Sequence, residues 1–498
     1  MGNQPSKTPI KEVETVFNEK QEFNNDEFSQ FSDLLKNLSI DQTKSDDDIG
    51  IGSLHSWESD FQSSAKNLLA QNAIAKNEIY SVIADSTLKA RSNEQYHFNT
   101  QLKNIGEPSF LDNQRSSGRC WMFATSNILR QHVIKNYNLK FDEFQISQAY
   151  LFFYDKLERA NFALDNLIET ADLPLDSRLV NYILSDPISD GGQWDMIVNI
   201  LEKYGAVPNY IFPDNAQASS SSTLNYILKE KIREFALILR KLKTKGAADF
   251  IIKTTKSAMM KEIYNVISIS LGTPPKPTDS FTWEFKDKDG NYKSFNTTAN
   301  DFYKTHINYP GTKFFSLIHD PRNASGKLYT VDKLNNMTGG RKIQYVNTSL
   351  DSIKATAIKM IKADEPVFFG CDVGKYYDRQ SGILDTSQFS FKLGFGTDLN
   401  MTKSERLQTA SSAMTHAMVL TGVHLDSEGK PVRWKIENSW GSDVGDKGYF
   451  LMTDEWFDEF VFQIVTSKAY ASKSDYAVFA GQDYSVLPFY DPMGALAK

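Results

Sequence analysis

Across residues 223–245 the apolar residues Leu228, Ile232, Phe235, Leu239 and Leu242 recur at intervals of 4, 3, 4 and 3. Only an α-helix carries such residues down one face, and a stripe of this kind has to pack on another helix. The opposite side is basic, with Lys229, Lys231, Arg233, Arg240, Lys241, Lys243 and Lys245 against Glu230 and Glu234. It reads as a solvated face, or else as a strip lining an assembly surface or a nucleic-acid path. The helical pattern resumes to Leu271 and is stopped by Thr273-Pro274-Pro275-Lys276-Pro277, because proline cannot continue a helix. After Arg341 the period changes from helical to two. Residues 366–370 read as a buried strand, and from Thr415 to His424 the residues His416, Met418 and Leu420 alternate with Ala417, Val419 and Thr421. Residues 433–437 and 448–452 add two more strands. A helix-rich first half and a strand-rich second half predict an α+β protein.

The chain has 498 residues and 2 cysteines, without a Cys-x-x-Cys. A disulfide framework and a four-thiolate zinc site are excluded, and a chain of this length buries enough surface to need neither. The net charge of −7 argues against a protein whose main task is coating nucleic acid. No apolar run approaches the ~18 residues of a membrane helix, and no signal-peptide core follows Met1. Residues 1–58 are polar and acidic and are expected to be a disordered extension, with order starting near Trp57. The start Met1-Gly2-Asn3-Gln4-Pro5-Ser6 fits N-myristoylation at Gly2 as well as a plain flexible tail. Cytoplasmic residence is the expectation, with a mitochondrial form from an alternative start left open.

Helices are expected over residues 120–136 and 147–157, and Gly191-Gly192 marks a sharp turn before another. The chemistry centres on Gln114-Arg115-Ser116-Ser117-Gly118-Arg119-Cys120-Trp121. A cysteine in the first turn of a helix faces unpaired N–H groups and the positive end of the helix dipole, which favour a thiolate and a lowered thiol pKa. A nearby imidazole could hold the thiol proton and deliver it to a leaving amine. Among 7 histidines, His416 stands out because it lies in an apolar strand. Asn438, in Glu437-Asn438-Ser439-Trp440-Gly441, could accept its N–H and fix the ring, with the Trp440 indole excluding water. Gln114 could offer its amide N–H to a developing oxyanion, together with the backbone N–H of Cys120. Cys371, with no helix start beside it, reads as an inert buried thiol, and His424 as a strand-end residue without a role.

These motifs, in this order, resemble the papain-like cysteine peptidases, and specifically the bleomycin hydrolase family. The resemblance also rests on Thr415-His416-Ala417-Met418, Asp190-Gly191-Gly192-Gln193 and the terminal Asp491-Pro492-Met493-Gly494-Ala495-Leu496-Ala497-Lys498. It implies a two-lobe fold, helical lobe plus β-barrel-like lobe, with a large helical insertion. The domains expected are the extension (1–58), the helical lobe (59–205), a helical hook that builds a homohexamer (206–340), the β lobe (341–470) and a C-terminal arm (471–498). Secreted papain relatives carry a cysteine and no Arg in the loop before the nucleophile, whereas here Ser117 and Arg119 flank Gly118. The resemblance further implies that Gly191, Gly192 and Trp440 line the substrate, and that the arm enters the cleft. Lys498 would be removed and the Ala497 carboxylate would meet a substrate's amino group. The implied activity is a metal-free, cofactor-free aminopeptidase acting on short peptides, with hydrolysis of bleomycin and homocysteine thiolactone. Two other readings stay open. One is single-stranded nucleic-acid binding by the basic helix, and the other a cysteine acyltransferase.

Overall fold

A computed structural model describes residues 49–88, 96–103, 113–141 and 143–497. Gly2, Lys498 and most of the acidic extension lie outside these described residues. The chain divides into two units, residues 1–82 and 83–498. In the first, helices α1 (Ile51–Ser63) and α2 (Ala65–Ile74) bury no residue. The Ser64 side chain caps α2 by accepting the Asn67 N–H. Among the described residues, regular structure is already present at Ile51, ahead of Trp57 where the sequence reading expected order.

The helical part of the second unit is built on α3 (Cys120–Tyr137), α4 (Gln148–Glu169) and α5 (Trp194–Tyr204). Helix α3 buries 13 residues between Cys120 and Ile134, Thr125, Ser126, Asn127 and Arg130 among them, which makes it a core helix rather than a surface one. Asn138, left-handed at φ 52°, closes it by donating to Ile134 O. Helix α4 runs twelve residues beyond its expected end at Leu157. The charged residues there, Lys156, Glu158 and Arg159, do not mark a solvated end, because all are buried and find partners inside the protein. Helices α6 (Ser222–Thr244) and α7 (Asp249–Leu271) form a hairpin. The stripe predicted from the 4-3 spacing is buried at Leu228, Ile232, Phe235 and Leu239, against α4 and α7.

In chain order the strands are β1 (Thr100–Gln101), β2 (Ser280–Lys286), β3 (Tyr292–Thr298), β4 (Phe314–Ile318), β5 (Lys327–Val331), β6 (Tyr345–Asn347) and β7 (Val367–Cys371). They continue as β8 (Tyr377–Asp378), β9 (Ile383–Leu384), β10 (His416–Leu425), β11 (Pro431–Glu437), β12 (Tyr449–Thr453), β13 (Val461–Ser467) and β14 (Tyr484–Leu487). Among the described residues, β2 and β3 pair only with each other. The others make one sheet in the order β14-β5-β6-β4-β13-β7-β10-β11-β12-β9-β8, with β1 on β10. The central strand β10 is antiparallel to β7, β11 and β1, with His416 opposite Cys371 and Val419 opposite Glu437.

The segment 206–340 is therefore not wholly helical, and strands do not wait for Arg341. After α7 the chain makes the β2–β3 hairpin, then returns into the main sheet as β4 and β5. Alternation of Phe281, Trp283 and Phe285 carries β2, whose Trp283 is buried beside Tyr137, Phe295, Phe302 and His306. Residues 471–498 likewise are not all arm: a helix (Lys473–Gly481) and β14, parallel to β5, come first. The arm proper ends in a tight turn, Pro492–Ala497, that buries Met493, Leu496 and Ala497. Among the described residues no helix is long and apolar enough to cross a membrane.

Candidate active site

Cys120 is the first residue of α3, and Arg119 before it offers no side-chain cap. Helical bonding starts with Met122 and Phe123, whose N–H groups reach Arg119 O; the N–H groups of Cys120 and Trp121 precede it and point at the sulfur, joined by the N–H of Ala417 from β10. Burial nevertheless pushes the thiol up to about 11. This reverses the sequence expectation of a lowered value: three N–H groups pull toward thiolate, but loss of water around a nearly inaccessible sulfur outweighs them.

The Ala417 peptide that reaches Cys120 immediately follows His416. The His416 ring places Nε2 3.0 Å from Asn438 Oδ1. That oxygen also accepts the Ser439 N–H at 2.8 Å, which fixes the orientation of the amide. Nε2 is thereby assigned as the protonated nitrogen, and Nδ1 is left as the base. Trp440 covers the ring at a centroid distance of 5.1 Å, so the imidazole–amide bond is shielded from water. Burial brings His416 down to about 4, the Asn438 bond working the other way. Burial thus disfavours the charged form of the thiol and of the imidazole alike.

Gln114 is buried beside them. Its Nε2 donates to Ser117 O at 2.7 Å and its Oε1 accepts from Ser439 Oγ at 2.7 Å, which leaves the second amide hydrogen uncommitted. Neither Gly191 nor Gly192 has a positive φ, and neither lies in a turn. Gly192 is needed for space, since a Cβ would lie 2.3 Å from the Trp121 ring.

Several site residues carried no expectation. Asp190 Oδ2 accepts the Gly118 N–H at 3.1 Å, its main-chain oxygen accepts Trp121 Nε1 at 2.7 Å, and Lys156 pairs with Oδ1 at 2.6 Å. Burial alone would raise the Asp190 carboxyl, but the Lys156 ammonium and bonds from Ser221 and Asn225 hold it well below the usual range. Arg159, buried on α4, bonds Gly191 O, lies 5.6 Å over the Trp121 ring and reaches Ala497 O at 3.4 Å. Ser189 Oγ donates to the same oxygen at 2.7 Å. The end of the arm therefore docks beside Gly191. Charged residues inside an apolar helical stretch (Lys156, Arg159) were the available signal.

A cysteine at a helix start, an Asn-oriented histidine on the facing strand and a glutamine between them, on this α+β scaffold, define a papain-like cysteine peptidase. The Peptidase C1-like family profile matches residues 48–494, and the chain belongs to that family. It is similar to bleomycin hydrolase of Mus musculus, at 43% identity over 86% of this chain and 95% of that protein. It is 39% identical to aminopeptidase C of Streptococcus thermophilus, over 88% of this chain and 97% of that one. The crystal structure of PepW from Lactobacillus rhamnosis superposes with a TM-score of 0.86 at 40% identity, covering 90% of this chain and 99% of that one.

Proposed function

We propose that this peptidase removes N-terminal residues from short peptides through an acyl-thioester on Cys120. The thiol attacks the scissile carbonyl carbon while His416 Nδ1 takes its proton. The oxyanion accepts hydrogen bonds from Gln114 Nε2 and the Cys120 N–H. On collapse, His416 gives the proton to the departing amine. Water then attacks the thioester, His416 again taking a proton, and the acid leaves as Sγ regains its hydrogen. Asn438 keeps the ring in the right tautomer throughout.

The observation that carries the N-terminal specificity is Ala497, docked on Ser189 and Arg159 beside Gly191. An endopeptidase needs a cleft open at both ends, and a chain terminus lying in one end admits only a substrate that stops there. Once Lys498 is removed, the Ala497 carboxylate would meet the substrate's ammonium. Deleting residues 495–498 should depress cleavage of peptides with a free N-terminus and open cleavage of N-terminally blocked ones; unchanged aminopeptidase activity would overturn the proposal. By the same chemistry, and by likeness to proteins named bleomycin hydrolase, bleomycin amide and homocysteine thiolactone are expected substrates. Direct product analysis with each compound tests this.

Self-association as a homohexamer is supported by apolar side chains exposed on the α6–α7 hairpin, Tyr226, Leu237, Phe250 and Ile269 among them. Light scattering on a size-exclusion column reads it directly. The basic face of α6 is a weaker case for nucleic acid. Lys229, Lys231, Arg233 and Lys243 pair with carboxylates, and Arg240 is buried on the carbonyls of Leu167, Thr170 and Leu173.

A further inference from the structure

We infer that the Arg119–Asp214 ion pair holds the oxyanion donor in place, so that both are positioning residues for acyl transfer. The inference rests on the reading of Gln114 as that donor. The loop 114–119 needs an external hold, because Arg115 sits at φ 54°, a conformation costly for a residue with a Cβ. Arg119 is fully buried under the loop, with its guanidinium over the rings of Phe123 and Phe152. Its Nη1 and Nη2 reach Asp214 Oδ1 and Oδ2 at 2.9 and 2.7 Å, a two-point contact that sets the plane of the guanidinium. Its third donor, Nε, then meets Ser117 Oγ at 2.9 Å. With that lone pair taken, the Ser117 hydroxyl turns its hydrogen to Gln114 O at 2.6 Å, while Ser117 O accepts Gln114 Nε2. Main chain and side chain of Gln114 are thus both locked to Ser117, and Ser117 is locked to Arg119.

Asp214 lies 95 residues from Arg119, in the segment that leads into α6, and Ser219 O of the same segment accepts the Ser116 N–H at 2.9 Å. The inserted part of the chain therefore holds the catalytic loop. Lysine in place of Arg119 would keep the charge but not the fork, whose three N–H directions fix Asp214 and Ser117 together. A donor must lie within about 2.7–3.1 Å of the oxyanion, so a loosened Gln114 costs rate and leaves binding of the ground state largely intact.

The test compares Asp214→Asn, Arg119→Lys and Gln114→Ala in the full chain, by kcat, KM, thermal unfolding and the rate of Cys120 alkylation by iodoacetamide. Alkylation displaces iodide from an sp3 carbon and builds no oxyanion, so it reads the thiol alone. Gln114→Ala should lower kcat by about 100-fold or more. Asp214→Asn and Arg119→Lys should each lower it by about tenfold, with KM and alkylation rate within about twofold of wild type. Adding Asp214→Asn to Gln114→Ala should cost nothing further, since the ion pair acts through the amide. Wild-type kcat in Asp214→Asn and Arg119→Lys beside a crippled Gln114→Ala would refute the inference alone. So would parallel losses of kcat and alkylation, which would mean a damaged nucleophile. Wild-type kcat in Gln114→Ala would remove the oxyanion reading and the inference with it.

Discussion

Cys120 and Cys371 occupy adjoining regions, one at the start of α3 and one at the end of β7, both packed against β10 and both buried. Burial raises both thiols. What separates them is the charge around the sulfur. Cys120 has three backbone N–H groups aimed at it. Cys371 has the Asp372 carboxylate and Cys120 itself beside it, and both push it up further. Proximity to the base does not decide the matter, because Cys371 is directly opposite His416 in the β7–β10 register. A reactive cysteine in this fold is made by donors that stabilise the developing negative charge, and a strand end, whose N–H groups are spent on the ladder, supplies none to spare.

The comparison can be broken most decisively at Cys120. Cys120→Ala should lower kcat by on the order of 10⁶ and abolish iodoacetamide labelling; labelling that persists at Cys371 would undo the distinction. His416→Ala should lower kcat by about 10²–10⁴, with the alkylation rate falling as well. Asn438→Ala removes a buried bond and should cost about 10–100-fold, seen in kcat/KM.

A smaller effect concerns stability and pH. His416 is brought from 6.5 to about 4 in the folded protein, so between those values the unfolded chain binds more protons than the folded one. Its contribution is whole above pH 6.5 and lost as pH falls toward 4, about 3 kcal/mol in all. His416→Gln should therefore flatten the fall in Tm over that window; an unchanged slope would place the acid sensitivity elsewhere. The smallest effect is expected of Cys371→Ala, with kcat per folded molecule within about twofold and the loss confined to stability, about 1–2 kcal/mol for the cavity.

Cys120, His416, Asn438 and Gln114 could be singled out in the sequence because each sits in a short motif whose local structure follows from neighbouring residues. The stripe of α6 was legible for the same reason. What escaped were interactions between distant segments. Arg119 and Asp214 are both ordinary charged residues until the fold buries one on the other. Lys156 and Arg159 read as the polar end of a helix because nothing local reveals Asp190 or Ala497 as partners. The direction of the thiol shift was misjudged since the N–H donors are local while the desolvation is global. The β2–β3 hairpin was missed because its aromatic alternation lies next to prolines and within a stretch dominated by helices.

The buried turn that ends the described chain turns sequence length into a measured quantity. A turn of this tight type advances about 2 Å per residue, so inserting or deleting one residue within Pro492–Ala497 shifts the terminal main chain by about that much against Ser189 and Arg159. On the proposed reading of Ala497, length changes there would act as active-site substitutions, and an affinity tag fused to the C-terminus would stand where the substrate's amino end belongs.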